Sequence, residues 1–130
     1  MFIKELTREQ LVSIIGEHHW CAKRMPTEGS KIFGLFHGPY TMVGAVFYNF
    51  EWNVNGVDHY TLSTPLIPGY VSDDQMTQLI KESASNINGV IKMWSDNPPN
   101  RVAKWVLSSG FTEVFVDENS GEHLYMLKVS

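Results

Sequence analysis

The residues in this sequence best suited to proton chemistry are Glu51, Asp58 and His59. Histidine titrates near neutrality and can accept a proton from an amine, and a nearby carboxylate can do the same work or orient the imidazole. Acids and histidines at hairpin ends are also ordinary solvated residues, so type alone does not assign the role. A second group, Glu17, His18, His19 and Cys21, has metal-ligand types in the wrong arrangement. Neighbours on a helix point about 100° apart, so only His18 and Cys21 share a face, and two ligands do not complete a zinc site. Cys21 as a nucleophile would need a base and an orienting partner, and no local signature supplies them.

These residues are carried by regularly alternating elements. Phe2 to Leu6 reads as a strand, and Thr7 with Gln10 forms a capping box that starts a helix at Arg8. Leu11, Ile14, Ile15, His18 and Ala22 share one helical face, which predicts a helix to about Cys21. After a loop, Lys31–Phe36 and Met42–Trp52 read as a hairpin. Asn55-Gly56 turns the chain into a strand from Val57 to Leu66. Ser72 and Gln75 make a second capping box, and Met76, Leu79, Ile80, Ser83 and Ile87 form the buried stripe of its helix. Val90 to Trp94 is a buried strand. Asn97 then caps a third helix with Pro98 at its first position, and Gly110 ends it. Thr112–Asp117 and His123–Val129 close the chain as a hairpin. The order β-α-β-β-β-α-β-α-β-β predicts an α/β fold: one mixed, mostly antiparallel sheet flanked by helices, in a single domain over residues 1–130.

With 130 residues, a net charge of −4 and no basic cluster longer than Lys23-Arg24, the sequence argues against a nucleic-acid surface. One cysteine precludes an internal disulfide, and no apolar stretch approaches a membrane span. The expectation is a soluble cytoplasmic protein. Phe47, Tyr48, Phe50 and Trp52 are too close in sequence for all to face inward on one sheet face, so an exposed aromatic patch is expected there, buried by a protein partner or a second copy.

The order of elements resembles the GNAT superfamily of N-acetyltransferases. At residue level the likeness rests on Asn100, Ala103, Trp105, Gly110 and Phe111, which are similar to that family's helix and Gly-Phe pair, one residue short in spacing. The resemblance implies acetyl-CoA as cofactor, held by Ser63, Thr64, Leu66, Gly69 and Asn100. It implies His59 or Glu51 as base, with Tyr125 as the replacement for a general-acid tyrosine whose position is taken by Val106. The sequence departs from the family at Ile67 to Asp74, where a single glycine and no basic residue precede Asp73 and Asp74. Two carboxylates at the helix start oppose phosphates, which need positive amides and dipole. The chain also resembles small GNAT-like proteins of tailed bacteriophages, with Trp94 to Phe111 carrying that likeness. The reading favoured on this basis is a protein without cofactor that acts by protein contact in virion head assembly or DNA delivery, in the host cytoplasm or the virion. The alternative is an acetyl-CoA-dependent N-acetyltransferase with a divergent cofactor site.

Overall fold

The computed structural model describes residues 1–16, 28–64, 71–96 and 98–129. Its elements are β1 (Phe2–Leu6), α1 (Arg8–Ile15), β2 (Lys31–Phe36), β3 (Met42–Val54), β4 (Val57–Ser63), α2 (Asp73–Ala84), β5 (Gly89–Ser95), α3 (Arg101–Ser108), β6 (Thr112–Val116) and β7 (His123–Val129). The expected α/β order holds throughout. The seven strands form one sheet in the order β1-β2-β3-β4-β5-β7-β6. Every neighbouring pair is antiparallel except β4 and β5, which are parallel and joined through α2. A parallel pair needs such a crossover, because a tight turn can only reverse the chain.

Each face of the sheet carries a core against different helices, the one under α1 reaching only over β1 to β3. On one face, α2 and α3 supply Met76, Leu79, Ile80, Ala103 and Val106 to a core shared with Tyr48, Tyr60, Leu62, Ile91, Met93 and Tyr125. On the other, Leu11 of α1 packs with Leu6, Ile32, Phe36, Met42, Ala45 and Phe47. This corrects the expected aromatic patch. Phe47 and Tyr48 point to opposite faces and are 3% and 0% exposed, because each face has its own core at that point. Phe50 is half-buried against the α2/α3 core, and only Trp52 of the four is substantially exposed. The buried Tyr48 hydroxyl is hydrogen-bonded to Ser83 Oγ at 2.6 Å. Burial raises its pKa, and the Ser83 bond only partly offsets that.

Two helix boundaries differ from expectation. Helix α1 stops at Ile15 because Gly16 adopts φ 89°, and its N–H bonds back to Val12. The residues expected to extend it, with the histidine and cysteine group at 17–21, lie outside the described residues. Helix α3 starts three residues late. Asn100 is its cap, its side chain accepting from Ala103 N–H at 3.2 Å, while Ser95 Oγ receives Asn100's own N–H. The expected cap, Asn97, lies outside the described residues.

Candidate active site

The site begins where the sheet comes apart. Strands β4 and β5 pair at only three positions, His59 with Val90, Tyr60 with Ile91 and Thr61 with Lys92. Beyond Thr61 both continue as strands, β4 still paired with β3 through Ser63 and β5 with β7 through Ser95. The two strands therefore open into a V whose apex is Thr61–Lys92. The backbone groups of Leu62 and Ser63 that face β5 have no ladder partner there, and unpaired backbone polar groups favour a ligand that supplies one. Helices α2 and α3 follow β4 and β5, so both helix N-termini lie at the open end of the V.

Arg101 joins those two N-termini. A cation at the first position of a helix runs against the helix dipole, which points to a tertiary role. Its Nε donates to Asp73 Oδ1 at 2.5 Å, and its guanidinium also reaches the Val71 carbonyl at 3.3 Å and stacks over the Trp105 ring. Trp105 Nε1 donates to the same Asp73 oxygen at 2.8 Å. The Arg101 hydrogen bond, and then that from Trp105, hold the Asp73 carboxyl below its ordinary range. The turn has no basic residue in sequence, yet the fold brings one to it from 28 positions away. Asp73 is thus a neutralised charge rather than a bare one, while Asp74 stays exposed. Ser72 caps α2, accepting from Gln75 N–H at 3.1 Å, as the capping box predicts.

A β-bulge at Glu51 sets the other side of the site. Phe50 pairs with Tyr60, but Trp52 pairs with His59, so one extra residue is absorbed and the alternation is re-aimed. Trp52 and His59 therefore share the face opposite α2 and α3, their rings 6.2 Å apart. Glu51 reaches the same face, accepting from the Thr61 hydroxyl at 2.5 Å. Lys92 lies beside Thr61 in register, with its ammonium 5.3 Å above the Trp52 ring. Among the described residues, His59 Nδ1 is the one buried side-chain nitrogen or oxygen without a hydrogen-bond partner. A buried polar atom without a partner costs free energy that a water or ligand reaching it would recover.

The structure brings Glu51 and His59 together at the apex. Asp58 instead points to the hairpin turn, where Asn53 donates to it at 2.8 Å. Ser63 and Thr64 lie on the β4 arm of the V, and Ser63 Oγ already accepts from Asn49 at 3.2 Å. Leu66 and Gly69 lie outside the described residues. Asn100 reaches the mouth of the V, but its side chain is engaged as the α3 cap. Tyr125 is buried on β7, separated from the opening by β5, and burial and then Glu113 raise its pKa. Arg101 and Lys92 were missed, since pairing across elements has no local signature. So was the hydrogen-bonded pair of His123 and Glu113 on β7 and β6, whose only trace in sequence is their placement astride the last hairpin. No group of three or more metal-ligand side chains occurs among the described residues.

The same architecture recurs in solved acetyltransferases. The structure superimposes on a Campylobacter jejuni N-acetyltransferase, PseH, in complex with acetyl coenzyme A, with a TM-score of 0.64 and 17% identity, covering 99% of this chain and 100% of that one. The fold is that of the GNAT N-acetyltransferases. A GNAT-family acetyltransferase from Streptococcus pneumoniae gives a TM-score of 0.65 at 10% identity, with 99% of each chain covered. A ribosomal-protein-alanine N-acetyltransferase from Brucella melitensis gives 0.63 at 15%, covering 99% of this chain and 100% of that one. No protein-family model matches the sequence, and no curated protein matches it. The GNAT fold therefore extends across almost the whole chain, while the residues that fill it are its own. No helix among the described residues is long and apolar enough to cross a membrane.

Proposed function

We propose that this chain is an acetyl-CoA-dependent N-acetyltransferase with an atypical phosphate-binding turn. The observation that carries the reading is the V between β4 and β5, with a half-buried histidine two residues before its apex and two helix N-termini at its mouth. The sequence-level objection was the pair of carboxylates at Asp73 and Asp74. Arg101 now engages the first, and its guanidinium can pass from Asp73 to a phosphate without leaving the turn.

The residues present fit the cofactor in kind. The unpaired β4 arm, Leu62 to Thr64, offers backbone partners to an extended amide chain, and Arg101 with the first-turn amides of α2 offers an anion site. When bound, acetyl-CoA supplies an acyl group activated as a thioester. The chain's own contribution lies at the apex. The half-buried His59 imidazole takes the proton that an ammonium acceptor must lose before its nitrogen can attack, and Glu51, fixed by Thr61, draws the cation towards it. The bulge is what aims both at one point.

Two measurements test this. Acetyl-CoA at a hundredfold its dissociation constant should stabilise the chain by about 2.7 kcal/mol, a shift of several degrees in Tm. Arg101→Ala should reduce that shift. His59→Gln should lower acetyl transfer by about 10²- to 10⁴-fold while leaving the shift intact. An unchanged Tm at saturating acetyl-CoA would overturn the reading.

A second reading is supported by the engagement of Asp73 and Ser72, which leaves the turn built as an ordinary helix start. On it the chain binds no cofactor and acts by protein contact, with a partner protein or a second copy, in virion head assembly or DNA delivery within an infected cell's cytoplasm. That role predicts no thermal response to acetyl-CoA in either the wild type or an Asp73→Asn, Asp74→Asn double variant.

A further inference from the structure

The face of the V opposite α2 and α3 carries an ordered row of side chains. Trp52 and His59 are cross-strand partners on β3 and β4, and Lys92 on β5 sits above Trp52. Two residues further along β5, Trp94 points the same way and meets Phe115 of β6 edge to face at 6.2 Å. Trp52, Trp94 and Phe115 are 50%, 45% and 53% exposed. Large aromatic rings are seldom left exposed side by side, and here they flank one positive and one negative group. Glu51 is held by Thr61, and Thr61 is the register neighbour of Lys92, so the carboxylate on β3 and the ammonium on β5 stand on one face with β4 between them.

We propose that this face binds acceptors that are themselves amphoteric: a primary amine, an anionic group close to it, and a flat apolar face. This rests on reading the face as the acceptor side of an acetyltransferase. The amine goes to Glu51 and His59, where its proton can be taken. The carboxylate or phosphate goes to Lys92, whose ammonium is held in place by the Trp52 ring. The apolar face lies along Trp94 and Phe115. A polyamine does not fit, because its second cation would meet Lys92 at close range.

The test separates binding from turnover. Binding of L-phenylalanine, phenethylamine, glucosamine 6-phosphate, glucosamine and spermidine to the full chain is measured by saturation-transfer NMR, with and without coenzyme A. Acetyl transfer to each is followed separately by thiol release. The expected result is that L-phenylalanine or glucosamine 6-phosphate binds at least tenfold tighter than its analogue lacking the anion, with spermidine weakest. Which of the two is preferred tells whether a carboxylate with a ring or a phosphosugar is the better match. Lys92→Met should remove the tenfold preference while leaving phenethylamine binding unchanged, and Trp94→Ala should weaken every ring-bearing probe. Equal binding of anionic and non-anionic probes, tighter spermidine binding, or no binding by any probe would overturn the proposal. Selective binding without acetyl transfer would overturn the enzymatic reading and leave this one standing.

Discussion

Asp73 shows how far a side chain's meaning depends on what the fold brings to it. In the sequence it is one of two acids where a phosphate would need cations. In the structure it accepts hydrogen bonds from Arg101 and Trp105. Its folded pKa lies below the ordinary value of 3.8, so the folded state resists protonation more than the unfolded one. The stabilisation is therefore complete above that ordinary value and is lost as pH falls through the depressed one. The Tm difference between wild type and Asp73→Asn should be constant from pH 7 to pH 5 and shrink towards zero as the pH drops below 4. A difference that ignores pH would mean that the contact is geometric and not electrostatic. The exposed position makes it sensitive to salt, and added chloride should lower it as well. His59 and Glu51 could be picked out in the sequence by type alone. Their convergence could not, because it depends on one unpaired residue in β3 that shifts the alternation by a step.

The elements themselves were largely written in local chemistry. Both capping boxes are formed as the Thr7/Gln10 and Ser72/Gln75 spacings require. Asn55 with φ 52° and Gly56 with φ 83° make the turn that their types demand. The start of α3 was misplaced because Asn97-Pro98 and Asn100 both carry cap chemistry, and a tertiary hydrogen bond from Asn100 N–H to Ser95 decides between them. The aromatic patch was misjudged because alternation says which residues share a face but not whether the other face is also covered. The close approach of β5 to β4 was equally silent in the sequence. A Cβ on Gly89 would stand 2.2 Å from the Asp58 carbonyl oxygen, at a φ of +150°. Gly89→Ala should therefore cost on the order of 3 kcal/mol or more in urea unfolding, since neither backbone can yield without breaking the ladder. Gly56→Ala, with nothing within 4 Å, should cost only about 1 kcal/mol. Equal losses at both positions would refute the close-approach argument.

As a whole the molecule is one sheet made of two antiparallel halves joined at a parallel seam. One runs from β1 to β4, the other comprises β5, β7 and β6, and helix α2 carries the chain from the first to the second. The order of elements does not by itself place that division: three β-α-β steps occur, and only β4-α2-β5 gives a neighbouring parallel pair. The shortness of the junction was not readable, since strand lengths do not reveal where pairing stops. Three residue pairs hold the halves together along the ladder, against seven between β5 and β7. Such a seam should breathe. In native-state amide exchange, the N–H groups around Thr61 and Lys92 should exchange through small local openings, faster than those in the middle of β3 or β7, and at a rate that follows intrinsic chemistry more than global stability. A molecule lodged in the V would then act as an eighth strand, and its arrival should be visible as slowed deuterium uptake along β4 and β5 before any product is formed.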